Sequence, residues 1–299
     1  MTAAPDWAAA GFGPAPVAGL TGPFPHRSFL EVWWEHRGGG EALLATGGDA
    51  LLTLRSEAGR VEFMGEADLT DYHTPLGTAA ADLLAGVAAS LPAGTRLCFD
   101  SLPAEAAGVM TAGLAAAGLA AETRQHEIAA VLDLPTSYDG YLAGVTTKHR
   151  HEIRRKRRRF EESLGAPRLV RDPGGFADFV RMHRAAPGEK GEFMTPDLEA
   201  FFTDLLSIDG AVLDLVVAGG DRPVAAAFGF VDGPGYYLYN SSFDPAAASV
   251  SPGVVMVDLL IRDAIDAGRS RFDFLKGDEE YKFRLGAWAR PLYLVEAAR

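Results

Sequence analysis

Cysteine is nearly absent from this chain. Cys98 is the only one, so no intrachain disulfide can form and nothing points to an oxidising compartment. It lies in the apolar run Arg96-Leu97-Cys98-Phe99 with no activating base beside it, and reads as a buried structural thiol rather than a nucleophile. Metal-ligand spacing is missing too. The seven histidines are scattered, and His149 and His151, two apart on a helix, point away from each other. No metal is expected. No run approaches the ~18 apolar residues of a membrane span, so no membrane partner is expected. The stretch Met1–Gly22 has neither a basic start nor a long apolar core, which gives a cytoplasmic expectation. Nucleophile elbow, Walker loop and Rossmann fingerprint are all lacking.

What is present is a globular composition. The 299 residues are 48% hydrophobic and 23% charged, enough for one large or two ordinary domains. The net charge of −12 argues against a general polyanion binder. The charge is uneven, however. Lys148–Arg159 holds eight Lys or Arg against Glu152 alone, a local +7 that leaves −19 on the remainder. Any nucleic-acid contact is therefore expected only through the basic helix 148–159.

The periodicities give an order of elements. Residues 1–23 are rich in Ala, Gly and Pro and read as a loose arm. In 24–135, an aromatic helix precedes strands at 41–46, 50–55 and 60–64. A polar loop with Asp71 and Tyr72 closes on Thr74-Pro75-Leu76-Gly77; helix 78–91, strand 95–99, helix 104–117 and strand 127–134 follow. Residues 136–164 form a basic connecting helix opened by a capping box at Thr136-Ser137-Tyr138-Asp139. The part 165–299 repeats the plan. Helices at 177–184 and 198–207 flank a charged loop, Gly188–Thr195, that could move over a site. Strands at 211–218, 224–231 and 236–239 lead to a helix and the strand 271–275. Phe99-Asp100 aligns with Phe272-Asp273 and Gly77 with Gly253, which suggests an internal duplication and two similar α/β (α+β) domains.

The richest stretch is Tyr236–Ala287. Val254, Val257, Ile261 and Ile265 keep a helical period. Ser251 is placed to cap the helix, Pro252 to open it and Gly268 to end it. A helix entered from a strand in this way turns free N–H groups toward the strand ends, a ready phosphate site. The same residues also suit a plain capped helix start.

Together, "SYDGYLAGVTTKHRHEIRRKRRRFEES", "PVAAAFGF", "YYLYNSSFDP", "SPGVVMVDLLIRDAI" and "FDFLKGDEEYKFR" resemble the BioF2-like and cellulose-biosynthesis-protein-like branch of the GNAT acetyltransferases, a branch related to the FemAB aminoacyl-tRNA transferases. The likeness covers roughly residues 137–287. It implies tandem GNAT-like domains, each a mixed, mostly antiparallel sheet flanked by helices. It also implies an acyl donor, acetyl-CoA or another acyl-CoA or else an aminoacyl-tRNA, in the splayed strands of the second domain, and an acceptor amine arriving in the cleft between domains. Ser251, Pro252, Gly253 and Val254 take the place of the GNAT pyrophosphate loop, with one glycine where the usual loop has two. Tyr281–Arg284 takes the place of a Tyr-Lys signature.

Amine acylation by a thioester needs an unprotonated amine, a polarised carbonyl and an acid for the leaving thiol. Backbone N–H groups near Tyr239 are candidates to hold the oxyanion. Asp273, Asp278 and Glu279 are candidate bases, Tyr239 or Tyr281 a candidate acid, and Lys282 and Arg284 candidates to neutralise charge. Asp71, Tyr72 and His183 are candidate acceptor contacts. Asp273 equally suits a structural pairing, and Tyr239 plain packing. Three functions are consistent with these residues: an acyl-CoA-dependent N-acyltransferase acting on a small amine or amino-sugar, a Fem-like enzyme using aminoacyl-tRNA, and a non-catalytic module that binds nucleic acid or an acidic protein.

Overall fold

The computed structural model describes residues 5–220 and 222–299. The first four residues of the N-terminal arm, and Asp221 in the turn after residue 220, lie outside the described residues. The chain divides into two compact units, the first running to Ala129 and taking back Arg290–Arg299, the second spanning Ala130–Ala289.

The first unit contains α1 (Arg27–Arg37), β1 (Glu41–Gly47), β2 (Ala50–Glu57), β3 (Arg60–Phe63), α2 (Ala80–Ser90), β4 (Arg96–Leu102) and α3 (Ala104–Ala116). The chain leaves this unit along β5 (Glu122–Asp133). β1, β2 and β3 pair antiparallel, and β3 pairs parallel with β4 through only Arg60↔Arg96 and Val61↔Leu97. Leu52, Leu54, Phe63, Leu84, Phe99 and Met110 fill its core. Cys98 is buried there, and burial raises its thiol to about 11 against the opposing pull of Arg60, as an inert structural thiol requires.

The second unit contains α4 (Tyr138–Gly144), α5 (Thr147–Leu164), β6 (Arg168–Arg171), α6 (Phe176–Arg184), α7 (Glu189–Phe193), α8 (Pro196–Leu205), β7 (Ala211–Ala218), β8 (Arg222–Val231), β9 (Gly235–Phe243), α9 (Pro252–Asp266), β10 (Arg271–Lys276) and α10 (Glu280–Arg284). β6 to β9 pair antiparallel in sequence order, and β9 pairs parallel with β10. This repeats the plan of β1 to β4: antiparallel hairpins, then a helix, then a parallel strand. Each unit is thus a mixed, mostly antiparallel sheet with helices, the arrangement expected from the sequence.

Several local readings change; the charged loop expected over 188–195 is mostly the short helix α7, and β6 was not expected. The helix expected over 136–164 is two helices. Ser137 accepts the Gly140 N–H and Thr146 accepts the His149 N–H, so a second cap restarts the chain after Val145. The polar turn after β10 contains a helical turn, α10. A final strand, β11 (Trp288–Ala298), pairs antiparallel with β4 from Tyr293↔Leu102 to Ala298↔Arg96. The last ten residues therefore join the first unit, whereas the sequence reading ran the second domain to residue 299.

Candidate active site

The site begins where two strands part. β9 and β10 pair at Arg271↔Gly235, Phe272↔Tyr236 and Asp273↔Tyr237 and then separate, although β9 continues to Phe243 and β10 to Lys276. Between them lies a cavity of about 470 Å³ lined in part by Leu238, Tyr239, Asn240, Ser241, Phe274 and Lys276. On its other side β9 carries a bulge. Phe228 faces Asn240 and Gly229 faces Leu238, so Tyr239 is the extra residue. A bulge disrupts the ladder locally and re-aims neighbouring side chains. It does so here beside the gap.

Two helical pieces supply the remaining walls. α10 contributes Tyr281 and Lys282, and the segment of α6 and α7 contributes His183, Glu189, Lys190 and Phe193. Lys282 is 3% exposed. Its ammonium donates to the Lys276 carbonyl at 2.6 Å and pairs with Glu279 at 2.8 Å. Burial is the largest single influence on the Glu279 carboxylate and raises it, but the Lys282 hydrogen bond, a backbone N–H and the charges of Lys282 and Lys190 together hold the group below its usual range. Tyr281 is 40% exposed, and its phenol is pushed up to about 12, first by desolvation and then by the Glu279 charge. It stays protonated at neutral pH, as an acid for a leaving group must.

His183 sits at the end of α6, wedged between the rings of Phe179 and Phe193 at 5.8 and 5.5 Å. Its Nε2 lies 3.0 Å from Asn240 Oδ1. Burial, reinforced by Lys190, keeps its pKa below the ordinary value, so the ring is neutral. Lys190 is itself lowered by desolvation, with Glu279 opposing, and its ammonium lies 5.9 Å from the Phe243 ring centre.

The donor loop differs in detail from the expected cap. Ser251 is left-handed (φ 56, ψ 53) and its side chain makes no capping bond. Its carbonyl instead accepts the N–H groups of Val254 and Val255 at 3.1 and 3.2 Å. Pro252 opens α9, and a Cβ on Gly253 would meet only Phe243 at 3.6 Å. Val254 borders a small cavity of about 50 Å³ together with His149, Lys156 and Arg284. The basic helix α5 thus lies along the start of α9. Buried Asp258 of α9 forms an ion pair with Arg157 of α5 at 3.6 Å and accepts the Tyr138 hydroxyl of α4 at 2.5 Å.

The structure therefore brings Tyr239, Tyr281, Lys282 and His183 to one cavity, with Val254 and Arg284 at the adjoining one. Asp273 lies elsewhere. It is fully buried, and its Oδ1 accepts the Leu275 N–H at 2.8 Å, steadying a residue with φ 61. Its place is structural, because a strand-end turn through positive φ needs a local acceptor. Asp278 is exposed and borders neither cavity. Asp71 and Tyr72 belong to the first unit, where Tyr72 is fully buried with the Arg290 guanidinium 5.1 Å from its ring centre. Asn240 was not singled out in the sequence. The signal for it, a bulge one residue earlier, exists only once two strands are paired. Among the described residues no group of His, Cys, Asp or Glu could hold a metal, and no helix is long and apolar enough to cross a membrane.

Residues 147–283 match the sequence profile of the acetyltransferase (GNAT) domain family. That stretch, just under half of the chain, is similar to the GNAT acetyltransferases. The chain is a transferase on that match, whose span contains the parted strands, the α9 loop and the Tyr281-Lys282 pair. No curated protein matches the chain. Among solved structures, FemX is 12% identical, with 96% of this chain and 94% of that one covered at a TM-score of 0.62. The C-terminal domain of a lysylphosphatidylglycerol synthetase from Agrobacterium fabrum is 14% identical, covering 90% and 86% at 0.59. L-PGS from Bacillus licheniformis is 13% identical, covering 92% of each chain at 0.59. These likenesses establish a shared fold that extends beyond the GNAT domain over most of the chain.

Proposed function

We propose that the chain is an N-acyltransferase that moves an acyl group, acetyl in the simplest case, from acyl-CoA to an amine of a small molecule or amino-sugar by direct attack. The observation that carries this reading is the parting of β9 and β10 after Tyr237 and Asp273, which leaves a cavity beside β9 backbone that β10 no longer pairs. A thioester laid along β9 would put its carbonyl against strand N–H groups, and its pyrophosphate would reach the turn Ser251–Val254 at the start of α9. Lys156 and Arg284, which border the small cavity at Val254, would complement the phosphates. The amine would enter the larger cavity. Tyr281 would give a proton to the departing sulfur, and Lys282 would hold the turn that carries it. Asp71 and Tyr72 have no part in this scheme.

A second reading, aminoacyl-tRNA as donor, draws on the outer face of α5. Lys148, Arg154, Arg158 and Arg159 are exposed there and make no ion pair among the described residues. From 148 to 159 the stripe is about 16 Å long at 1.5 Å per residue, suited to several phosphates.

Thermal unfolding with added donor separates the readings. A ligand that binds only the folded chain raises its melting temperature with concentration. Acetyl-CoA should do so. No shift with any acyl-CoA, alongside a salt-sensitive shift with aminoacyl-tRNA, would reverse the order of the two donors.

A further inference from the structure

The bulge at Tyr239 leaves Asn240 on the cavity wall where β9 and β10 have already separated. Its side-chain oxygen is engaged. Oδ1 can only accept, so His183 Nε2, 3.0 Å away, must carry the proton and donate it. The imidazole has no freedom to do otherwise. It is 2% exposed, clamped between two phenylalanine rings, and its Nδ1 has no hydrogen-bond partner among the described residues. A proton on Nε2 serves the one acceptor that meets hydrogen-bond geometry among the described residues. With Oδ1 fixed, the amide nitrogen of Asn240 is the part that remains, and its two N–H donors bond to no described residue.

We propose that Asn240 is a catalytic hydrogen-bond donor to the carbonyl oxygen of the acyl group, and that His183 is the positioning residue that fixes the direction of its amide. This rests on the transferase reading but not on the choice of donor, since a CoA thioester and an aminoacyl ester present the same carbonyl. The amine nitrogen forms a bond to the carbonyl carbon while the C=O π pair moves onto oxygen. That oxyanion accepts from Asn240 Nδ2. The pair then returns, the carbon–sulfur or carbon–oxygen bond to the carrier breaks, and the proton lost by the amine ends on the leaving atom. A side-chain donor aimed where charge develops acts on the transition state more than on the bound substrate.

The test compares Asn240→Ala, Asn240→Asp, His183→Gln and His183→Ala in transfer from acetyl-CoA and, separately, from an aminoacyl-tRNA, with an amine panel as acceptors. Loss of one oxyanion donor typically lowers kcat about a hundredfold to a thousandfold. Asn240→Ala and Asn240→Asp should each show such a loss with little change in the donor KM. His183→Gln retains an N–H toward Oδ1 and should recover most of the activity lost in His183→Ala. Isotope-edited infrared spectra of the bound carbonyl-labelled donor should show its stretch moved to lower frequency in the wild-type chain, with the shift reduced in Asn240→Asp. Should Asn240→Ala fail to fold, the isosteric Asp variant and the His183 pair carry the comparison. Wild-type kcat in the Asn240 variants, or equal activity of the two His183 variants, overturns the assignment alone. Transfer from neither donor overturns the transferase reading and this assignment with it.

Discussion

Replacing Lys282 by Met keeps the alkyl stem and removes the ammonium. That ammonium is 3% exposed and donates to the Lys276 carbonyl at 2.6 Å and, more weakly, to Gly277 at 3.4 Å. A hydrogen bond to a charged group contributes roughly 1.5–3 kcal/mol. The Glu279 pair at 2.8 Å adds little, because the carboxylate side chain is 56% exposed and such pairs contribute about 0–1 kcal/mol. The Met side chain refills most of the volume, so no large cavity term enters. The expected loss of stability in the second unit is therefore about 2–4 kcal/mol. Urea-dependent hydrogen exchange, read on peptides spanning 271–289, would report that unit separately from the first. Turnover, measured where the variant is still folded, should fall further than any unfolded fraction explains, because the freed turn carries Tyr281. A stability loss below about 1 kcal/mol would refute the view that a buried ammonium ties this turn together. A full stability loss with undiminished turnover would remove Lys282 from the chemistry.

Gly253→Glu should weaken acyl-CoA binding at least about tenfold, or 1.4 kcal/mol, by setting a carboxylate against the donor phosphates. The fold should tolerate it, since a Cβ there meets Phe243 only at ordinary contact distance, 3.6 Å, and acidic residues suit a helix start. Unchanged affinity by calorimetry would refute the phosphate site. His183 makes stability depend on pH. Its folded pKa lies below the ordinary 6.5 because burial, with Lys190 facing it, resists protonation. The contribution is complete above 6.5 and is lost as pH falls through that value, where the unfolded chain takes up a proton first. His183→Gln should flatten the fall in unfolding free energy between pH 7 and 5; an unaltered slope would contradict the burial argument.

Local patterns made much of the fold readable. The apolar period of α9 placed most of its packed face: Val257, Ile261 and Ile265 are buried as expected, whereas Val254 is half-buried and Val255 is buried instead. The hairpins β1–β2 and β7–β8 followed from Gly-rich turns between apolar strands. Features set by distant pairing were hidden. β11 contains Arg290 and Pro291, which weaken any strand signal, and its partner β4 lies about two-thirds of the chain length earlier. The break in the basic helix looked like continuous periodicity because Val145 is buried like the helical residues around it. At the site, the residue types that face the cavity were legible at Tyr239, Tyr281, Lys282 and His183. The left-handed Ser251, the Asp273 contact to Leu275 and the bulge that presents Asn240 were not. Each is a backbone geometry fixed by neighbours that the sequence does not place side by side.

The gap between β9 and β10 is the centre of the account, and calorimetric titration of the full chain with acetyl-CoA tests it most directly. Saturable binding that is lost in Gly253→Glu and kept in Tyr281→Phe is the predicted result. An absence of binding by every acyl-CoA and by aminoacyl-tRNA, with the chain folded, would contradict it.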